Sequence, residues 1–455
     1  MAAPATSYAR LENWLPRNHN FITDWLAELN DEIDQVEDDG FDVVFHPCIE
    51  KFEKLIEGDA VLRMLASAMF TEVPNKRPYL RDPTAHRQVH DYHHMLVLFN
   101  RILTKAPEWT TRAYGIGLVG FPFNAIIDWP MATPSGYAFF LNKQVNMHLK
   151  EILTVWKNFL HTEASADVVS SNNWLSPEAK GFLTDDANLT PGKTYTFEEL
   201  YVCDPSKPHY GWKSWDDFFI RLFRPGIRPI AYPDDKKFRG LDPTSVVVNA
   251  CESKPYALKK NVKEYDRFWL KGQEYSLYEI FSPSPLAHFA PSFVGGTVYQ
   301  AFLSPTTYHR WHAPVSGTVL ATTVIDGTYY SEPTFTGFAQ TSTPDPASPD
   351  FCQGYLAQVA TRAILVIKAD NKDLGLVCFV PIGMAEVSSC EFGKDIVPGA
   401  HITKGQETGM FHHGGSTYCL IFQGHVKLDW VKGALPGGAE DRKNQPLNSA
   451  LAFVR

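Results

Sequence analysis

The stretch Gly414-Gly415-Ser416-Thr417-Tyr418-Cys419-Leu420-Ile421-Phe422 sets two glycines and two hydroxyl residues directly before an apolar, β-prone run. Such a run, entered from a glycine turn, predicts a strand over 418–422. The glycine pair permits backbone conformations closed to other residues and allows close approach to the peptide carbonyl. A serine that follows such a peptide is placed to attack the preceding carbonyl with its hydroxyl and form an ester. On this motif alone a plain turn is the stronger reading. The pattern is not G-x-S-x-G and has no phosphate-loop lysine, so neither a nucleophile elbow nor a phosphate cradle is supported.

Working outward, residues 246–248, 318–324, 363–367 and 376–380 are further short β-rich runs, separated by turn residues such as Asp326-Gly327 and Pro398-Gly399. They predict a mostly antiparallel β unit. The N-terminal third carries a different period. Ile49, Phe52, Leu55 and Ile56 follow Pro47 at helical spacing, and Asp59 is a candidate cap for a helix with Val61, Leu62, Leu65 and Met69;. Val89, Leu96 and Phe99 suggest another helix, and Val145, Leu149, Ile152, Trp156 and Phe159 form the clearest one-face stripe;. The expected class is α+β: a helical domain over 1–195, then a mostly antiparallel β catalytic domain over 196–455. The polar stretch 165–173 and the turn clusters at 185–188 and 191–192 place the boundary. Residues 331–354 hold Pro333, Pro344, Pro346 and Pro349 with little periodicity. A loop of that length is either a disordered insertion or a functional lid, and Phe335 and Phe338 are its candidate substrate contacts.

With 455 residues the chain has length for two to four domains;. Its 51 acidic against 42 basic residues give a net charge of −9, which does not suit phosphate-backbone binding, so no nucleic-acid partner is expected;. Seven cysteines at wide spacing without CxxC argue against a disulfide framework or a cysteine zinc site;. The first twenty residues lack an apolar signal core. The longest stretch free of Asp, Glu, Lys and Arg, 280–309, is broken by prolines and glycines, so no spanning helix and no stable membrane insertion are expected;. A cytoplasmic protein is the expectation.

Two histidine groups stand out. His86, His90, His93 and His94 fall near one face of a predicted helix, but no H-E-x-x-H pattern or nearby cysteine completes a set, and no metal is expected there;. Tyr308-His309-Arg310-Trp311-His312-Ala313-Pro314 reads as a loop entering a strand. Histidine is the natural base near neutral pH, though a structural role is at least as good a reading of this motif by itself.

Taken in order, the motifs resemble the phosphatidylserine decarboxylase superfamily of pyruvoyl enzymes. Trp215-Asp216-Asp217-Phe218-Phe219-Ile220-Arg221, with Arg224 and Ile227-Arg228-Pro229-Ile230, is similar to its F-F-x-R…x-R-P-I segment. Lys271-Gly272-Gln273-Glu274-Tyr275-Ser276-Leu277 resembles its K-G-x-x-Y-S-L block, and residues 308–314 its Y-H-R-x-H-x-P motif. Lys404-Gly405 with Gly409-Met410-Phe411 resembles K-G-x-x-x-G-x-F ahead of the G-S-T processing site. His209-Tyr210-Gly211-Trp212, Ala250-Cys251-Glu252-Ser253 and Ala369-Asp370-Asn371-Lys372 look most like the fungal branch, which includes decarboxylases of free aromatic amino acids.

The resemblance implies a cofactor made from the chain itself, a pyruvoyl group derived from Ser416, with no pyridoxal phosphate. It implies cleavage between Gly415 and Ser416, giving a β chain of 1–415 and an α chain of 416–455 that remain associated. It implies a Glu252–His312–Ser416 triad for that cleavage, with Glu252 one methylene longer than the family's aspartate. His309 is implied near the reacting carboxylate. The substrate expected is a small molecule, L-tryptophan or another free aromatic amino acid; phosphatidylserine at a membrane is the alternative.

Overall fold

The structure is a computed structural model, and it describes residues 20–38, 43–73, 89–109, 121–265, 275–331, 333, 352–386, 389–413, 415–436 and 444–455. Helix boundaries in the first third follow from side-chain caps. Asp59 lies between helices Pro47–Gly58 and Ala60–Thr71, and its Oδ1 accepts from the N–H groups of Val61 and Leu62 at 2.8 and 3.0 Å;. Asn142 starts Lys143–Leu160 in the same way, through Gln144 and Val145. That helix buries Val145, Leu149, Ile152 and Trp156, as its periodicity predicts, with Phe159 half-buried. The Trp156 indole N–H donates to the Lys105 carbonyl at 2.8 Å while its ring meets Phe123 edge-on, so a large apolar surface is buried without an orphaned donor;.

The helix expected around Val89 runs Tyr92–Ile102. Asp91 accepts from the His94 N–H at 2.8 Å and fixes the start there, which leaves Val89 and His90 ahead of it. The histidine face is therefore split. His90 stacks on His94, His94 Nε2 contacts Asn30 Oδ1 at 2.9 Å, and His93 pairs with Glu53 at 2.8 Å. His86 lies outside the described residues.

All five apolar runs are strands. Among the described residues the strands are β1 Val246–Val248, β2 Lys254–Lys260, β3 Thr297–Leu303, β4 Arg310–His312, β5 Gly317–Ile325, β6 Arg362–Ala369 and β7 Leu376–Gly383. They continue with β8 Ser389–Phe392, β9 His401–Ile402, β10 Glu407–His412, β11 Ser416–Phe422, β12 Leu428–Trp430 and β13 Ala450–Val454. Seven of them form one antiparallel sheet in the order β2-β3-β11-β7-β6-β5-β9. Two three-stranded sheets, β1-β13-β12 and β4-β10-β8, complete the β unit. The class is α+β. Strand β11 is buried at every position, which is why it reads as a continuous apolar run and not as an alternating one;.

The helical region meets the sheet at its strand ends. Asn146 Oδ1 accepts from the Tyr329 N–H at 3.1 Å, Lys150 pairs with Asp326 at 2.6 Å, and the Asn124 N–H donates to Glu386 at 2.7 Å. No helix among the described residues is long and apolar enough to cross a membrane.

Candidate active site

Ser416 opens β11 and is paired on both sides, with Leu303 of β3 and Gly383 of β7. It is fully buried, and its Oγ has no hydrogen-bond partner among the described residues. Its neighbour Thr417 differs: Thr417 Oγ1 donates to the Ala301 carbonyl at 2.9 Å and accepts from Gln300 Nε2 at 3.1 Å. Gln300 in turn accepts from the Tyr275 hydroxyl at 2.5 Å. Successive strand residues face opposite sides, so Thr417 is tied into the sheet's packing while Ser416 keeps an uncommitted hydroxyl. A buried polar atom left unpaired costs about 1–3 kcal/mol, and such atoms concentrate at functional positions. Gly415 is described and buried; Gly414 lies outside the described residues.

The histidine motif is held by β3 and β10. After β3, Thr307 Oγ1 donates to the Ser304 carbonyl at 2.7 Å, and Arg221 Nη2 donates to the Thr306 carbonyl at 2.7 Å. The Phe411 N–H then donates to the His309 carbonyl at 2.9 Å, which docks the motif on β10. His309 is fully buried, its ring stacked on Phe219 with centroids 4.2 Å apart.

His312 is positioned by its backbone N–H, which donates to the Ala250 carbonyl at 2.8 Å, and by its ring Nδ1, 2.7 Å from the Gly405 carbonyl. A carbonyl can only accept, so Nδ1 carries the proton and Nε2 presents its lone pair. Nε2 has no partner among the described residues. Burial holds the His312 pKa below the usual imidazole range, against the Gly405 contact that favours the charged form. His312 is therefore a neutral base at pH 7. Gly405 itself is at φ +81°, and a Cβ there would lie 2.5 Å from the Ile230 side chain. Only glycine brings that carbonyl to His312.

Glu252 shares the segment that holds His312 but is not bonded to it. Its carboxylate accepts from Arg228 Nε at 2.9 Å, from Arg228 Nη2, and from the Leu447 N–H at 2.7 Å. Arg228 lies over Phe223 at 4.4 Å, Phe223 stacks on Tyr308 at 4.5 Å, and Tyr308 lies 6.1 Å from the His312 ring. The structure thus links Glu252 to His312 through packing and the Ala250 carbonyl, with the Gly405 carbonyl at the Nδ1 position. Ser416 Oγ and His312 Nε2, both unpartnered, are not hydrogen-bonded to each other.

Two residues here carry no assignment from sequence. Arg228, inside the R-P-I match, is the buried partner of Glu252. Glu386 follows β7, three residues past the Gly383 that faces Ser416. Its Oε1 accepts from the Asn124 N–H at 2.7 Å, its Oε2 has no hydrogen-bond partner among the described residues, and burial pushes its pKa up to about 8. A single acid in the apolar run Ile382-Gly383-Met384-Ala385-Glu386-Val387 was the available signal;. Phe335 and Phe338 lie outside the described residues. The far end of their loop is anchored at Gln353, whose carbonyl accepts from Gln300 Nε2 at 3.0 Å.

Family models described as phosphatidylserine decarboxylase match residues 46–183 and 215–436. The chain is 39% identical over 353 residues to the decarboxylase iboD of Amanita muscaria, covering 74% of this chain and 91% of that protein. It is 31% identical over 409 residues to the L-tryptophan decarboxylase of Psilocybe cubensis, covering 89% and 86%. Phosphatidylserine decarboxylase proenzyme 3 of Schizosaccharomyces pombe is 28% identical over 230 residues, covering 50% and 21%.

Proposed function

The chain belongs to the phosphatidylserine decarboxylase family and is a carboxy-lyase, and on that premise we propose that it matures by self-cleavage and decarboxylates a free amino acid. The observation that carries this reading is Ser416, a fully buried hydroxyl without a hydrogen-bond partner among the described residues, directly after Gly415. The residues present fit a cofactor made from that serine. Its oxygen is uncommitted, and an unpartnered imidazole nitrogen of matching function, His312 Nε2, belongs to the same β unit.

In maturation, His312 Nε2 takes the Ser416 hydroxyl proton and the oxygen attacks the Gly415 carbonyl carbon. The peptide C–N bond breaks and an ester joins Gly415 to the Ser416 side chain. Loss of the Cα proton expels the Gly415 carboxylate and leaves a dehydroalanine on the new chain. Water then releases its nitrogen as ammonia and leaves the pyruvoyl group. The Gly405 carbonyl holds His312 in the needed tautomer and steadies the imidazolium, the part an acid plays in a hydrolase triad;. Glu252 is a positioning residue, keeping Arg228 and the 250–252 segment in place. The pyruvoyl ketone, when formed, supplies the electron sink for loss of carbon dioxide. His309 serves turnover, moving a proton at the substrate's α carbon.

The chains 1–415 and 416–455 stay together because β11 is hydrogen-bonded on both edges. The division near residue 195, a helical region ahead of the catalytic unit, belongs to the same reading. So does a cytoplasmic setting, which is favoured by seven cysteines that form no disulfide among the described residues;.

A free amino acid is favoured over phosphatidylserine by extent of similarity. The relatives named iboD and L-tryptophan decarboxylase align over 74% and 89% of this chain, whereas phosphatidylserine decarboxylase proenzymes align over half of it. L-tryptophan or another aromatic amino acid is the proposed substrate. Purified protein is tested by intact mass and by amine release from the twenty amino acids and phosphatidylserine vesicles. The expected result is two chains broken at 415/416, with Ser416→Ala intact and inactive. A wild-type chain that is intact and fully active overturns the reading, and turnover of the vesicles alone overturns the substrate.

A further inference from the structure

Three side chains from three separate elements converge beside the end of β10. His161 follows helix Lys143–Leu160, Asp216 lies on the short helix Trp215–Phe219, and His413 follows β10. His161 Nδ1 is 3.4 Å from Asp216 Oδ2, and His413 Nδ1 is 3.3 Å from Asp216 Oδ1. One ligand atom from each of the three lies within 4.8 Å of the other two. Zinc bonds to nitrogen and oxygen are about 2.0–2.1 Å, and the edge of a tetrahedron of that size is about 3.3–3.4 Å.

A web of hydrogen bonds does not account for the arrangement. His413 is 1% exposed, and both its ring nitrogens lack a hydrogen-bond partner among the described residues. It sits at φ +60°, the left-handed region that non-glycine residues rarely adopt;. A buried, unsatisfied and strained imidazole persists when the surrounding structure gives it something to do. Asp216 is also buried, and His412 Nδ1 donates to its carboxylate from 3.0 Å to both oxygens. The His412 Nε2 faces Glu391 at 3.4 Å. His412 is thereby spent on aiming the carboxylate, as partners of metal-bound carboxylates do. His161 is half exposed and gives an ion a path from solvent.

We propose that His161, Asp216 and His413 bind one zinc ion, with water in the fourth position. Two neutral imidazoles and one carboxylate form a nitrogen–oxygen donor set suited to zinc. The ion would fasten the C-terminal end of a long helix and the Trp215–Phe219 helix to the chain two residues before Gly415. Ion binding is independent of how Ser416 is used. Its role as a clamp on the chain end created at Gly415 rests on the processing reading.

The test uses full-length protein purified without chelator, as wild type and as Ser416→Ala, which separates binding from processing. Metal analysis after dialysis is expected to find about one zinc per chain in both. His161→Ala alters a surface residue and is expected to fold, yet to bind zinc at least about tenfold more weakly. Added zinc is expected to raise the melting midpoint of wild type and not of His161→Ala. Cobalt(II) substituted into the wild type is expected to give the visible absorption of a tetrahedral site, absent in the variant. Equal zinc uptake by wild type and His161→Ala, no uptake by either, or iron in place of zinc overturns the proposal.

Discussion

Ser416 Oγ and His312 Nε2, both without a hydrogen-bond partner among the described residues, are the two atoms on which the proposed maturation turns, and variants at the residue scale separate their work from that of their neighbours. His312→Ala removes the base and is expected to slow cleavage by about 10²–10⁴-fold. His309→Ala is expected to cleave at the normal rate and to decarboxylate poorly, read as two chains with a low kcat. The His312 base form is the neutral one, and burial lowers its pKa, so the cleavage rate rises with pH through a midpoint below ~6.5 and is flat by pH 7;. A midpoint above 7 contradicts the assignment. Glu252 is distinguished by two variants. Glu252→Ala leaves Arg228 buried and unpaired, a loss of about 3–5 kcal/mol that a melting curve registers;. Glu252→Gln keeps an acceptor for the Leu447 N–H and is expected to cleave within about tenfold of wild type;. A Gln variant that melts normally but does not cleave would give the carboxylate a direct part in activating His312.

At the scale of elements, β11 decides what the proposed cleavage would do to the molecule. Its seven residues pair with β3 on one edge and β7 on the other, so breaking the 415/416 bond removes no strand from the sheet. The cleaved enzyme is expected to elute as one species holding both chains and to separate only in denaturant. The segment between β5 and helix Gln353–Val359 is the other element with a testable part. Gln353 anchors its far end against Gln300, which also holds Thr417. Replacing residues 333–350 by a short Gly/Ser linker is expected to leave self-cleavage intact and to lower kcat or relax substrate choice, because a lid would exclude water from the reacting centre. Unchanged turnover and selectivity would make the loop a bystander.

Over the whole molecule, two buried acids stand out: Glu386 after β7, at the join between the helical region and the sheet, and Asp128 on helix Pro122–Met131, the helix whose Asn124 N–H meets Glu386. Burial pushes both pKa values up to about 8. Each carboxyl is therefore neutral in the folded protein and ionised in the unfolded chain at pH 6–7. Folded pKa values raised above the unfolded ones make stability full below the ordinary carboxylate range near ~4, with loss as pH rises to about 8;. The melting midpoint is expected to fall across that window in wild type and to fall less in Glu386→Gln and in Asp128→Asn. Identical slopes in all three would show that neither acid is held neutral. The Asn124–Glu386 contact places this sensitivity at the point where the helical region reaches toward Ser416's neighbour strand, β7.

The helices and strands were legible because their signals are local. Asp59 and Asn142 cap within three residues of themselves, and the stripe from Val145 to Trp156 repeats at the helical period. The apolar runs marked their strands for the same reason, and the ordered motifs around residues 215–230, 308–314 and 404–416 pointed to the serine and the histidines as one unit. What sequence could not assign depends on contacts between distant residues. Glu252 reads as a triad acid until Arg228, 24 residues earlier, and the Leu447 N–H, 195 residues later, are seen to take its oxygens. The Gly405 carbonyl has no side-chain signature at all, and it reaches His312 only because β4 and β10 pair. Asp216 and His413 are 197 positions apart in order and 3.3 Å apart in space, with His161 joining them from a third element. Periodicity and capping act over a few residues and are written in the sequence; which lone pair meets which proton is settled only when the strands and helices pack.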